Sequence, residues 1–500
     1  MTPAQGGFDL LIVGGGIIGC GIARDAAGRG LAVLLVEQDD LAAHTSSAST
    51  KLIHGGLRYL EHCDFGLVRK SLAERERLLE AAPHIMWPMR FVMPHDAHLR
   101  PAWMIRAGLF LYDHLSRRRR LPGSRAVDLG RHPAGAALDP RFGRGFEYSD
   151  VWVDDARLVV LNAVDAQERG ATVVTRTRCE SVRRESGAWR AVLAGAGGRR
   201  EVAARALVNA AGPWAAEFVR DRSPLASGHG VRLVKGSHIV VRRLFDHDYA
   251  YLFQAPDRRI VFALPYERDF TLIGTTDVES GTTPSPPHID AGEVGYLRGM
   301  ANRYFRASIA PADMVWTYSG LRPLLEDESA DPSSVTRDYV LEFDGNGAPA
   351  LSVFGGKLTT FRVLAEQAVD RLAPGLGAKR GPWTARVPLP GGDLPQADFD
   401  RFAAAAAGRW PWLPAALRLR LARAYGSRME RVLGAATGLA DLGEEILPGL
   451  HAAEVEHLCR AEWARTAEDI LWRRSKLGLH LGPGAAETLD RWLAARRAAR

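Results

Sequence analysis

An apolar run over residues 8–13 stops at a cluster of glycines. Apolar positions then recur with helical spacing over 17–27, and residues 31–36 form a second apolar run. The pattern predicts strand, helix, strand. Asp154 and Asp155 can cap a helix reaching about Arg169, after which residues 171–177 and 206–210 read as further strands. Between Gly230 and Thr276 the texture changes to β-branched and aromatic stretches, VRLVKGSHIVV, RIVFALP and FTLIGTT, separated by polar turns. These predict an antiparallel sheet. Residues 351–354 return to a buried strand, followed by Gly355-Gly356 and a helix expected over 358–372. A linker is expected near 375–397, and from Phe399 onward Ala, Leu and Arg at helical spacing predict a C-terminal helical domain.

At 500 residues the chain exceeds the size at which one core keeps growing, so two or three domains of roughly 100 to 200 residues are expected. Lys and Arg outnumber Asp and Glu by 65 to 58, with a pI near 9.4. This suits an anionic substrate, an acidic membrane surface or nucleic acid, although a charge of +7 spread over 500 residues is mild and equally fits an arginine-rich soluble surface. Cys20, Cys63, Cys179 and Cys459 are scattered, without metal-site or redox spacing. A reducing, cytosolic setting without structural zinc is therefore expected. The apolar run over 10–23 could imitate a signal peptide, but Asp9 stands where a basic flank belongs and glycines interrupt it. No stretch of 18 or more uncharged apolar residues offers a bilayer span.

Gly14, Gly16 and Gly19 make G-x-G-x-x-G between the first predicted strand and helix, and Glu37 closes the second strand. In that context the first glycine permits a tight turn, the second lets backbone approach a pyrophosphate, and the third packs helix on strand. The phosphates would sit on the helix N-terminus and the acid would accept ribose hydroxyls. NAD and FAD share this adenosine diphosphate half. ALVNAAGPWA (206–215) and LSVFGGKLTTF (351–361) tilt the choice, because two late strand-and-small-residue pieces have a use in a flavin domain split by an inserted substrate domain. Residues 45–61, TSSASTKLIHGGLRYLE, add five hydroxyl side chains, a lysine, a histidine, paired glycines and an Arg-Tyr pair. Such a segment is too polar for a core strand and reads as a wall around a ligand.

The blocks GGGIIGCGIARDAAGRG (14–30), TSSASTKLIHGGLRYLE (45–61), APHIMWPMRF (82–91), RGFEYSDVWVDDARLV (144–159), VKGSHIVV (234–241), IGTTDVE (273–279), WTYSGLRPL (316–324), FGGKLTTFR (354–362) and LWRRSKLGLHL (471–481) closely resemble the FAD-dependent, aerobic glycerol-3-phosphate dehydrogenase family of bacteria. Only Ile18 and Cys20 depart, at positions often held by polar or smaller residues. The resemblance implies an α/β flavoprotein with a Rossmann-like FAD-binding domain of the glutathione-reductase and D-amino-acid-oxidase type. That domain would comprise 1–85, 145–220 and 345–375, with an inserted antiparallel-sheet substrate domain (86–144 and 221–344) and a helical domain (385–500). It implies noncovalent FAD, oxidation of sn-glycerol 3-phosphate to dihydroxyacetone phosphate, membrane quinone as electron acceptor, and a peripheral homodimer on the cytoplasmic face of the inner membrane.

Matched motif by motif, the resemblance points to Gly14, Gly15, Gly16, Gly19, Glu37, Thr45, Ser46, Ser47, Ser49, Lys51, Leu52, His54, Gly55, Ala211, Gly212, Gly355, Gly356, Leu358 and Thr359 for FAD. It points to Arg58, Tyr59, Thr276, Arg322, Arg337 and Lys357 for the substrate. No metal ligand is expected. A planar guanidinium suits a phosphate clamp. His238 is the expected base for the C2 hydroxyl proton, since imidazole changes protonation near neutral pH. Arg322 or Lys357 could instead stabilise the developing alkoxide. The apolar stretch WMIRAGLFLYDHL (103–115), followed by four arginines over 117–120, fits an interfacial helix meeting anionic headgroups, or a buried helix ending in a charge run. Two other readings compete. A flavin-dependent amine or amino-acid oxidase of the same fold would use arginine for a carboxylate, and a non-catalytic basic protein would bind nucleic acid or membrane, although no nucleic-acid module is visible.

Overall fold

The computed structural model describes residues 7–62, 64–96, 99–257, 259–281, 283–325 and 338–498. In the first of two large sheets the parallel core runs Ala350–Gly355, Gly198–Asn209, Phe8–Val13, Val33–Val36, Thr172–Val174, with Tyr339–Asp344 antiparallel on one edge. Ile12 sits between Leu35 and Val208. Strands of this kind are buried on both faces, which is why the sequence shows runs rather than alternation. Leu10 and Ile12 face a layer made by the helices Ile17–Gly28, Asp155–Glu168 and Phe361–Leu376. Leu11 and Val13 face the opposite way, toward a hairpin, Thr177–Glu185 with Ala188–Gly195, whose Trp189 is fully buried.

The second sheet runs Val278–Glu279, Val231–Arg242, Phe270–Gly274, Ile260–Tyr266, Ala250–Gln254, Met86–Pro94, Arg144–Val153, Leu52–Ile53, and Met314–Leu325 pairs with the long strand Val231–Arg242. It is antiparallel except where Ala250–Gln254 meets Met86–Pro94. Alternation along its strands is clean. Ile239, Val241 and Ile273 pack under the helix Ala291–Tyr304, whereas Val240, Leu264 and Leu272 join a core with Leu72, Leu109 and Tyr112 on the other face. Residues 52–53 and 145–153, assigned by sequence to the cofactor domain, thus lie in the second sheet. Their apolar pattern signals a strand but cannot name its partner, and the pairing of Met86–Pro94 with Arg144–Val153 along its whole length decides it.

A third core is formed by Leu421, Met429, Val455, Leu458 and Leu489 from the C-terminal helices, with Leu450 from the short strand Leu450–His451. The linker expected near 375–397 is a packed strap. The Trp383 indole donates to the Asp25 carbonyl at 3.1 Å, and it lies against Gly28, where a Cβ would come within 2.2 Å of it. Leu389 is buried in the cofactor-domain core. Its Pro and Gly content suggested a free connection, because local composition does not report burial.

Candidate functional site

A cavity of about 410 Å³ runs between the two sheets. At one end stands the glycine turn. Gly14 has φ +113°, a left-handed backbone, and a Cβ there would lie 2.4 Å from the Ala210 carbonyl oxygen. Only glycine lets the turn close onto the 210–212 loop. Gly16 caps the helix Ile17–Gly28 and has no side chain of its own to accept the first N–H groups, which leaves room for an anion there. Ser46 reaches the same place, its Oγ accepting the Ile17 N–H at 3.0 Å. The Glu37 carboxylate accepts the Gly15 N–H at 2.6 Å and the Asp39 N–H at 2.8 Å. Burial pushes this carboxyl above its ordinary range against the pull of those amides.

Residues 45–51 form a strap that is tied down from several sides. Thr45 Oγ1 donates to the Leu321 carbonyl at 2.6 Å and the Tyr318 hydroxyl donates to the Ser49 carbonyl at 2.8 Å. Ser49 Oγ donates to Asp155 at 2.7 Å, and Lys51 Nζ reaches the same carboxylate at 2.8 Å and the Ser47 carbonyl at 3.1 Å. Lys51 is fully buried, and burial lowers its pKa against the attraction of Asp155. Thr50 Oγ1 lies 2.9 Å from His238 Nε2. The strap therefore joins the helix Asp155–Glu168 of the first layer to strands of the second sheet.

At the other end His238 lies directly across from Tyr318 in the strand pairing, and their rings stack at 4.6 Å and 10°. The imidazole sits over Gly274, where a Cβ would come within 2.0 Å of the ring. Burial first, then the charges of Arg322 and Lys51, hold its pKa well below the usual histidine range. Arg322 is gripped by Asp277 and donates to Thr275 Oγ1 at 2.7 Å. Its Nη2 would be 2.2 Å from a Cβ at Gly236, so a side chain there would displace the guanidinium. Lys357 Nζ donates to the His54 carbonyl at 2.9 Å and stands 5.1 Å above the Tyr59 ring. The Gly55 N–H donates to the Tyr112 hydroxyl at 2.8 Å, which in turn donates to buried Asp150 at 2.7 Å.

Of the residues singled out by sequence, Gly14, Gly16, Glu37, Thr45, Ser46, Ser49, Leu52, His54, Ala211, Gly212, Gly355, Gly356 and Leu358 line this cavity together with Tyr59, His238, Arg322 and Lys357. Gly15, Gly19, Ser47, Lys51, Gly55 and Thr359 are not among the residues lining it. Thr276 also faces away, its Oγ1 donating to buried Glu293 at 2.7 Å and accepting the Ser237 N–H at 2.9 Å. Arg58 falls in the turn Leu57–His62 with its side chain outside the described part of the structure, and Arg337 lies outside the described residues. Thr50, one of the hydroxyls of the 45–61 segment, contacts His238, and Asp277 and Tyr318 contribute to the site without having been singled out. Asp277 and Tyr318 lie in quoted motifs, but their partnership with Arg322 and His238 depends on strand register between distant segments.

The glycine turn fits a pyrophosphate and the cavity is long enough to continue past it to a cationic end, a combination that defines the class of FAD-dependent oxidoreductases. Residues 9–362 match the family described as FAD dependent oxidoreductase, and 382–495 match the C-terminal domain of alpha-glycerophosphate oxidase. The chain is 55% identical over 98% of its length to the glycerol-3-phosphate dehydrogenase of Pseudomonas aeruginosa, covering 96% of that protein. It is 50% identical to the D-erythritol 1-phosphate dehydrogenase of Brucella abortus, with 97% of each chain covered. The crystal structure of the Bacillus halodurans glycerol-3-phosphate dehydrogenase with FAD superposes at a TM-score of 0.78 with 28% identity, covering 98% of this chain and 91% of that one. The chain belongs to the bacterial FAD-dependent glycerol-3-phosphate dehydrogenase family, and its cofactor is FAD.

Proposed function

We propose that the protein oxidises sn-glycerol 3-phosphate to dihydroxyacetone phosphate and passes the electrons to a membrane quinone. The observation that carries this reading is that Arg322, Lys357, His238 and Tyr59, from separate segments, all line the cofactor cavity, with Arg322 charging the surroundings of His238 and Lys357 standing over the Tyr59 ring. Bound FAD supplies the acceptor for the hydride that leaves C2. The protein's own residues supply the anion clamp and the proton acceptor. Arg322, with its fork fixed by Asp277 and Thr275, presents a positioned guanidinium to the phosphate. Lys357, anchored on the His54 carbonyl, adds a point charge. His238, neutral at working pH because burial and the neighbouring cations disfavour its charged form, accepts the hydroxyl proton. Thr50 fixes the ring by its contact with Nε2, and Tyr318 supports one face.

Delivery to a quinone is supported by the helix Ala102–His114. Trp103 and Phe110 on it are 70% and 54% exposed, Leu111 is exposed as well, and four arginines follow over 117–120. Amphipathic aromatic residues beside a basic run suit an anionic bilayer surface. Among the described residues no helix is long and apolar enough to cross a membrane.

A second reading, oxidation of D-erythritol 1-phosphate, is favoured by the 50% identity to a dehydrogenase of that name. Adding each compound anaerobically to the yellow holoprotein separates the two. The primary reading predicts rapid bleaching by sn-glycerol 3-phosphate, with slower reduction by D-erythritol 1-phosphate and none by glycerol or amino acids. Faster bleaching by the tetritol phosphate transfers the assignment to it, and bleaching by an amino acid alone rejects both.

A further inference from the structure

The motif LWRRSKLGLHL lies in the C-terminal domain, well apart from the glycine turn in sequence, and takes no part in the chemistry above. Its first half lies in the π-helical turn Asp469–Arg474. Arg474 donates through Nη1 at 2.7 Å and Nη2 at 2.8 Å to the two oxygens of Asp40, and Arg473 Nε reaches the same carboxylate at 2.7 Å. All three are buried. Asp469 in turn accepts from Arg473 at 2.6 Å and is paired with Arg176, whose own N–H donates to the Asp39 carbonyl at 2.8 Å.

Asp40 belongs to the short loop after the second strand of the Rossmann unit. Glu37, Gln38, Ala42, Ala43 and His44 of that loop line the cavity beside the glycine turn. The Ala42 N–H donates to the Gly15 carbonyl at 3.2 Å, and Glu37 holds the Gly15 N–H from the other side. The same C-terminal segment reaches the second sheet. Trp472 stacks on Trp316 at 4.3 Å and 19°, on the strand that carries Arg322.

We infer that the turn Asp469–Arg474 is part of the apparatus that retains FAD, with Arg473 and Arg474 acting as positioning residues that hold the 37–44 loop through Asp40. The loop meets the cavity through Glu37, Gln38, Ala42, Ala43 and His44, while the bidentate guanidinium grip is on Asp40, which is not among the lining residues. A planar fork fixes a carboxylate in direction as well as distance. Without that grip the loop keeps its tie to Gly15 but gains freedom, and binding FAD must then order it again. The inference rests on FAD binding and is independent of which polyol phosphate is oxidised.

The test titrates apoprotein with FAD and follows flavin fluorescence for wild type, Asp40→Asn and Arg474→Lys. The expected result is an FAD Kd raised at least tenfold in both variants, with kcat at saturating FAD and the KM for sn-glycerol 3-phosphate within twofold of wild type. A Kd within twofold of wild type overturns the inference, as does an equal loss in Glu468→Gln, since Glu468 pairs with Arg473 at 2.6 Å but is exposed. Leaving a buried charge without its partner can unfold the variants. Hydrogen exchange on the wild-type protein covers that outcome through the reciprocity of coupled equilibria. FAD must slow amide exchange in Asp469–Arg474 more than in the C-terminal helix Phe399–Arg409; equal exchange with and without FAD in the turn overturns the assignment.

Discussion

The two ends of the cavity are built by opposite means. The glycine end is mostly backbone: a left-handed Gly14, a helix N-terminus opened by Gly16, and one acid, all within the first forty residues. The cationic part is mostly side chains, with His238 and Arg322 on two paired strands of the second sheet, Lys357 just after the strand Ala350–Gly355 and Tyr59 in the turn Leu57–His62. A backbone site needs little support because the turn that makes it is local. A side-chain site needs a fixed partner for every group, and Thr50, Asp277 and the His54 carbonyl serve that purpose here.

That contrast can be attacked from the cationic part first. Replacing His238 with Asn is expected to lower kcat by about 10²–10⁴ while leaving bound FAD in place, measured by stopped-flow reduction and flavin content. As the proposed base the imidazole must be unprotonated, and burial, Arg322 and Lys51 all depress its pKa. In wild type the loss of kcat/KM on acidification caused by this group must therefore fall below pH 6.5, the ordinary histidine value; a limb above it contradicts the role.

At the glycine end Gly14→Ala is expected to lower FAD affinity at least tenfold. The new Cβ meets the Ala210 carbonyl and also occupies backbone space that L-residues avoid at a cost of about 1–2 kcal/mol. Equilibrium titration with FAD checks it, and unchanged affinity would show that the turn is not held by backbone fit. The smallest effect is expected from Thr50→Val, which removes one hydrogen bond to His238 worth about 1 kcal/mol. A loss of kcat/KM of about fivefold with FAD affinity intact would separate the two ends; a matching loss of FAD affinity would merge them.

Legibility in the sequence followed the same division. The strand, glycine turn, helix and acid were readable because each is specified within a few residues, and the observed helix Ile17–Gly28 ends one residue beyond the expected 27. The second sheet was readable as strands but not in extent. Arg144–Val153 joined it because its pairing partner, Met86–Pro94, is remote in sequence. Thr276 shows the limit of motif reasoning at a single position. Its neighbours Thr275 and Asp277 face the cavity, but the Thr276 hydroxyl turns to Glu293.

Hydrophobic periodicity and turn chemistry by themselves determined a Rossmann unit, a β-rich insertion, a helical C-terminal region and a glycine turn opening a helix N-terminus, because those depend on forces between near neighbours. Which side chains share a wall, which carboxylate steadies which guanidinium, and how a C-terminal turn comes to grip Asp40 were decided only by tertiary packing. Those contacts form when strand register and layer stacking bring distant segments within hydrogen-bond reach.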